Sequence, residues 1–371
     1  MIQPEHPIIE KARSFGNQHL ATLNIDNIDL NNHKKLRRLA ANQGFTKIEI
    51  PKKLGGLGLD FKTRSKVFGI LSTFDFGFSM SVINTHSAAL RLSQNASPKI
   101  IDHFFTKIHS DGESACTAMS ESDVGSDFFS LKTLASRVGH KWQINGRKVW
   151  IVNGRDANLA IVYAQTKKIG DKKGIAGFAI DLNRDGVKQF PIDGIFSQKT
   201  MGTGGFELHN YIANEEELIL PPDLAYKEVL SEINLARTYV GSMCCHMLEN
   251  LISITKSYGT KRKSFGNTLN QHQTWRFAIA EAEIDLSAAK LLVKEAENTI
   301  GVPKKLQLTA AKAKAFSTKV CQKHFPILLH KMGAEGFQND YPFSRYIAAV
   351  QMASLMDGSN EMLLERISRD S

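Results

Sequence analysis

The sequence predicts an α+β protein built in three stretches: an all-helical N-terminal domain over residues 1–113, a central β-barrel or sandwich over 114–222, and a C-terminal four-helix bundle over 223–371. Three observations predict it. Apolar residues recur at helical spacing at both ends of the chain but not in its middle. The middle holds short runs of β-branched and small apolar residues separated by turn signals. Beyond Pro222 the periodic segments approach thirty residues, as in helices that pack along one another. A chain of 371 residues can bury a sizeable core in two or three such domains.

In the N-terminal stretch, Ile8, Ile9, Ala12 and Phe15 mark one helical face, and Leu36, Leu39 and Ala40 mark a second before Gly44 stops it. Pro51 to Asp60 interrupts with glycines. No strand precedes Gly55 and no G-x-G-x-x-G spacing is present, so this is a turn and not a phosphate cradle. A long helical segment follows over Lys66 to Leu92.

The β stretch opens on Ala118-Met119-Ser120-Glu121-Ser122-Asp123-Val124-Gly125-Ser126-Asp127, too polar for a buried strand or helix and therefore expected at a surface or lining a cavity. Asn145-Gly146 lies between apolar-bearing runs, the pattern of a type I′ hairpin that would carry Trp150 to its far end. Further strands are expected at Leu159 to Gln165, Gly174 to Leu182 and Phe206 to Ile212, with a turn at Asn183 to Gly186 and Pro221-Pro222 closing an antiparallel module. The helical period then returns over Lys227 to Tyr258, His272 to Ile300, Leu308 to Met332 and Tyr341 to Met356, with a last helix from Glu361 to Ser368.

The formal charge of +10 attracts anionic partners such as phosphate or an acidic carrier protein. The basic residues are dispersed, as in Lys34, Lys35, Arg37 and Arg38, in Lys167, Lys168, Lys172 and Lys173, and in Lys304 and Lys305. No aromatics interleave with them, which argues against nucleic acid. Cys116, Cys244, Cys245 and Cys321 have neither metal-ligand nor disulfide spacing, and a reducing cytoplasm is expected. Glu5 and Glu10 near the start, and the lack of any run of eighteen apolar residues, predict neither a signal peptide nor a membrane span.

Six stretches together carry a family likeness. Pro51 to Asp60, Ser120 to Asp127, Gly146-Arg147-Lys148-Val149-Trp150-Ile151 with Asn153-Gly154, Arg262 to Gly266, Gly333 to Phe337, and Asp357-Gly358-Ser359 resemble, in this order, the landmarks of the acyl-CoA dehydrogenase superfamily. The resemblance spans nearly the whole chain. It implies FAD, an acyl-CoA or acyl-carrier-protein substrate, an electron-transfer flavoprotein or oxygen as acceptor, and a homodimer or homotetramer. It also implies roles for individual residues. Met119, Ser120 and Ser126 resemble the flavin-binding loop, Ser126 also facing substrate, and Trp150 resembles the indole beside the flavin, with Val152 where a threonine is usual. Arg262, Gln273, His330, Gly333 and Ala334 resemble positions reaching a neighbouring subunit's FAD, and Ser359 and Glu361 positions close to the cofactor. Arg237 and Gly358 resemble substrate-side residues, and Asp357 stands where many members have the catalytic glutamate.

In the family's reaction an α-proton leaves a thioester while a β-hydride passes to the flavin. Such a C–H is too weak an acid for a free carboxylate, so the base needs a water-poor pocket and the carbonyl needs hydrogen-bond donors. Taken alone, Asp357 reads as a helix cap ahead of Ser359 to Arg366. Ala236 precedes Arg237 and Glu232 lies more than a turn upstream, so no glutamate replaces Asp357. An aspartate there is similar to the nitroalkane oxidase branch, which keeps a flavin oxidase or monooxygenase open as an alternative. A third alternative is a fold retained as an assembly partner without activity.

Overall fold

The computed structural model describes residues 5–21, 23, 28–167, 171, 174–193 and 198–370. Lys168, Lys172 and Lys173 lie outside the described residues. The chain packs as two compact units, one of Met1–Val67 with Gly77–Leu230 and one of Phe68–Phe76 with Ser231–Ser371.

The first unit starts with helices. In α1 (Pro7–Phe15) proline occupies the first turn, where no N–H is missed, and the His6 ring accepts from Ile8 N at 3.2 Å. Ile8, Ile9, Ala12 and Phe15 are buried on its inner face. Asp29 caps α2 (Leu30–Asn42) by accepting from Asn32 N at 2.7 Å. The helical segment expected over Lys66 to Leu92 is two helices, α3 (Phe61–Ser72) and α4 (Phe76–Asn95). At the break, whose residues belong to the second unit, the hydroxyls of Ser72 and Thr73 turn back onto the carbonyls of Gly69 and Ile70, both at 2.7 Å, and compete with the helical ladder. The Pro51 to Asp60 stretch is a turn, with Gly55 at φ 78°. A fifth helix, α5 (Pro98–His109), completes the series.

Eight strands follow: β1 (Ala115–Ala118), β2 (Leu134–Val138), β3 (Lys141–Ile151), β4 (Leu159–Gln165), β5 (Ile175–Asp181), β6 (Val187–Pro191), β7 (Gly204–Ala213) and β8 (Leu218–Leu220). They form one sheet in the order β6-β7-β3-β2-β4-β5-β8, with β1 beside β4. The sheet is mixed and not wholly antiparallel, because β4 runs parallel to both β1 and β2. Trp142, Ile144, Phe178, Phe206 and Tyr211 fill its core.

The hairpin expected at Asn145-Gly146 is not there. β3 runs through both residues, and the chain reverses instead at Gly139-His140, with Gly139 at φ 59°. Asn145 accepts from Asn210 N through its side-chain oxygen at 2.7 Å, where the pairing of β3 with β7 slips by a residue. Gly146 answers a close approach: a Cβ there would lie 2.4 Å from Thr133 Oγ1.

The second unit takes up α6 (Pro222–Lys261), a short hairpin of β9 (Lys263–Ser264) and β10 (Asn267–Thr268), then α7 (Gln273–Asn298), α8 (Pro303–Met332), α9 (Phe343–Leu355) and α10 (Asn360–Asp370). Pro222 opens α6 where the sequence suggested the end of the β module, since a proline at a first helical position forfeits no bond. The four cysteines are buried as free thiols. Among the described residues no helix is long and apolar enough to cross a membrane.

Candidate active site

In the first unit, β1 delivers the polar loop and an ion pair fixes it. The Glu121 carboxylate accepts from Lys132 N at 2.7 Å, Thr133 N at 3.0 Å, Thr133 Oγ1 at 2.6 Å and Lys148 Nζ at 2.9 Å. Lys148 is wholly buried and also donates to Met119 O at 3.0 Å. Burial pushes its ammonium down to about 8, against the opposing pull of Glu121. Burial works to raise Glu121 as well, but Lys148 and the Thr133 hydroxyl outweigh it and hold that carboxyl below its ordinary range. At neutral pH the pair is therefore ionised. Ser120 O accepts from Val149 N at 3.1 Å, so Met119 and Ser120 lie along the strand segment leading to Trp150.

Trp150 has φ 61° and is 63% exposed. A left-handed tryptophan facing water costs strain and exposed apolar area, and such outliers collect at functional sites. Asn153, also left-handed at φ 64°, holds this backbone from the other side. Its buried amide donates to Ser81 O at 2.8 Å, Thr85 Oγ1 at 3.2 Å and Ala115 O at 2.9 Å. Val152 between them is half-buried, while Gly125 and Ser126 are exposed, with no atom within 4 Å of where a Gly125 Cβ would stand. An open, hydroxyl-bearing loop beside an uncovered flat ring suits an aromatic, hydrogen-bonding cofactor.

In the second unit, Asp357 sits at φ 53° between α9 and α10, followed by Gly358 at φ 95°. It does not cap α10. Ser359 does so, accepting from Met362 N through its hydroxyl at 3.4 Å and from Leu363 N through its carbonyl. Among the described residues no hydrogen bond holds the Asp357 carboxylate, although its backbone is gripped. Arg237 on α6 donates from Nε to Asp357 O at 2.9 Å and from Nη1 to Asn234 Oδ1 at 3.0 Å. A Cβ on Gly358 would approach Arg237 Nη2 to 3.1 Å. Lys314 on α8, fully buried, donates to Ser354 O at 3.2 Å and Gly358 O at 2.6 Å. Burial raises the Asp357 carboxyl above its usual range; Lys314 and Arg237 oppose the shift and Glu232 adds to it. The arrangement is that of a carboxylate with enhanced proton affinity, flanked by two cations that oppose the shift.

Asp357, Arg237 and Gly358 are thus brought together. Arg262, Gln273, His330, Gly333 and Ala334 are all exposed. Gly333 ends α8 at φ 62° and ψ −148°, a conformation essentially reserved for glycine, and nothing lies within 4 Å of its Cβ position. Glu361 is exposed on the first turn of α10, where its own backbone N–H and the Ser359 hydroxyl hold its carboxyl below the ordinary range. Sequence reasoning missed Lys314. The signal was available: Lys314 is in phase with Ala310, Ala311, Ser317, Thr318 and Cys321 on a face that is otherwise small and buried, whereas Lys312 and Lys319 point outward.

Residues 4–111, 116–211 and 226–371 match the N-terminal, middle and C-terminal domains of acyl-CoA dehydrogenase, respectively. The probable acyl-CoA dehydrogenase FadE25 of Mycobacterium tuberculosis is 24% identical over 330 residues, covering 88% of this chain and 85% of that protein. Butyryl-CoA dehydrogenase from Megasphaera elsdenii superposes with a TM-score of 0.89 at 21% identity, covering 100% of this chain and 99% of the other. The FAD complex of PigA gives a TM-score of 0.89 at 18% identity, with the same coverage of 100% and 99%.

Proposed function

The chain belongs to the acyl-CoA dehydrogenase family, and from that premise we propose that it is an FAD-dependent dehydrogenase of an acyl thioester, giving an α,β-unsaturated product. The observation that carries this reading is the Asp357 carboxylate: enclosed enough to raise its proton affinity, left out of helix capping, and faced by two cations. Met119, Ser120, Ser126, Trp150, Val152, Ser359 and Glu361 would hold FAD, and Arg262, Gln273, His330, Gly333 and Ala334 would reach the FAD of a second copy. When bound, FAD supplies the hydride acceptor. Asp357 removes the α-proton, while Ser126, Arg237 and Gly358 orient the thioester and offer donors where enolate charge develops.

The charge of +10 suits coenzyme A and an acyl carrier protein equally, since both are anionic. The domain division at 113 and 222, the choice of electron-transfer flavoprotein or oxygen as acceptor, and assembly as a homodimer or homotetramer complete the reading. Four buried free thiols suit a reducing cytoplasm. The shorter reach of aspartate, and a Val152 side chain that donates no hydrogen bond, favour a second reading: a flavin oxidase or monooxygenase acting on a nitroalkane.

Anaerobic mixing of the yellow protein with acyl-CoAs and acyl carrier proteins of varied chain should bleach the flavin band. Asp357→Asn should slow that bleaching by about a hundredfold or more. A rate within a few-fold of wild type would remove Asp357 as the base. Bleaching by nitroalkanes alone, or peroxide release in air, would select the second reading.

A further inference from the structure

We infer that Lys314 is a positioning residue for the reaction proposed above: it holds the left-handed turn that presents Asp357 and faces that carboxylate with a buried positive charge. The inference rests on Asp357 being the base. An ammonium is costly to desolvate and is retained inside a protein only where carbonyls and an opposite charge receive it. Lys314 finds both. Ser354 lies in the last turn of α9, where helical carbonyls have no partner within the helix and the dipole is negative, and Lys314 Nζ takes its oxygen at 3.2 Å. The second bond, at 2.6 Å, goes to Gly358 O, just past Asp357. One ammonium therefore bridges the helix end and the turn.

The rest of α8 acts in the same sense. Thr318, one helical turn beyond Lys314, exchanges hydrogen bonds with the Asn360 side chain at 3.1 and 3.0 Å, which pins the start of α10. With Arg237 on Asp357 O, the hydrogen bonds that hold this turn among the described residues go to its backbone or its flanks, and the carboxylate is left for other work. A neutral donor would serve to cap the helix; the positive charge of Lys314 is what bears on the Asp357 carboxylate. The charged groups around this centre are Lys314 from α8, Arg237 and Glu232 from α6, and Glu361 and Arg366 from α10. Of these, Lys314 alone is both fully buried and bonded across the turn.

The test compares Lys314→Met, Lys314→Arg and Asp357→Asn as FAD-loaded proteins. Hydrogen exchange of residues 355–360 is measured without substrate, and the pH dependence of anaerobic bleaching is measured with the acyl thioester that reduces wild type fastest. Lys314→Met should exchange faster over that segment, bleach roughly tenfold more slowly or worse at neutral pH, and move the acid limb of the profile to higher pH, because a cation that favours the ionised carboxylate has gone. Lys314→Arg, which keeps the charge, should leave the acid limb near its wild-type position even if Lys314→Met proves poorly folded. If Asp357→Asn is inactive while Lys314→Met keeps wild-type exchange, rate and limb, the assignment of Lys314 fails and the base stands. If Lys314→Arg shifts the limb as far as Lys314→Met does, the charge has no part and the inference is overturned. If Asp357→Asn bleaches like wild type, the base reading falls and takes Lys314 with it.

Discussion

Lys148 and Glu121 bring two charges into the interior of the first unit and leave neither exposed. Removing one partner of such a pair costs more than the pair contributes, because the other charge stays buried. Lys148→Met should therefore destabilise the protein by about 3–5 kcal/mol, read as a fall in the urea midpoint. Because Met119 O loses its donor as well, flavin content after gel filtration should fall. The double variant Glu121→Gln, Lys148→Met should recover part of the loss; strict additivity of the two single losses would show that the pair is not coupled. Such residues were only half legible in the sequence. Asp357 and Trp150 stood in motifs that the sequence displays, and Arg237 was singled out by the resemblance alone, but the clip between Glu121 and Lys148 joins residues 27 apart in sequence that no local pattern pairs. Ser359 as the true cap of α10 shows the same limit, since Asp357 and Ser359 are both good caps by type and only the backbone decides between them.

Elements were more legible than residues because their periodicity is repeated. The long helices beyond Pro222 and the strand at Leu159–Gln165 lie where the pattern placed them. Asn145-Gly146 misled because a glycine needed for close approach to Thr133 carries the same letters as a glycine needed for a turn. On α7, Trp275, Ile279, Ala282, Leu286, Ala289, Val293 and Ala296 are buried on one face, yet Phe277, Ile284 and Leu291 repeat every seven residues on another and are 56%, 68% and 68% exposed. One apolar position per heptad is half of the pattern that joins a helix pair, and a second copy of α7 would offer the same row in return. Each side chain covered would contribute on the order of 1–2 kcal/mol, since part of each is already buried. Wild type should therefore sediment as a dimer or larger, and Ile284→Asp with Leu291→Asp as a monomer. A monomeric wild type at micromolar concentration would sink the assignment of this face.

The order of helical, β and helical stretches was readable from sequence because it depends on period alone, whereas the buried polar interior was not. His86 sits in the polar-looking run Asn84-Thr85-His86 and is nonetheless fully buried. This interior gives the protein an acid limit. In the first unit, burial pushes His33 down to about 3, with Arg37 adding to the shift; it pushes His109 down to about 4, and His86 well below the ordinary range. Each is a base whose folded-state pKa lies below its unfolded value of about 6.5, so between those values the unfolded chain binds the proton and the folded chain does not. Stability is thus complete above pH 6.5 and is lost as pH falls toward 4 and then 3. At about 1.4 kcal/mol per unit, His109 alone removes on the order of 3 kcal/mol by pH 4. The net charge of +10 grows over the same range and adds self-repulsion. The melting temperature should hold steady from pH 8 to 7 and fall progressively from pH 6 to 4.5. His109→Gln should flatten that fall if the variant folds, while 0.5 M salt should relieve the repulsion but leave the histidine contribution in place. A melting temperature that does not change between pH 7 and 4.5 would show that these three rings take up protons as readily in the folded state as in the unfolded chain.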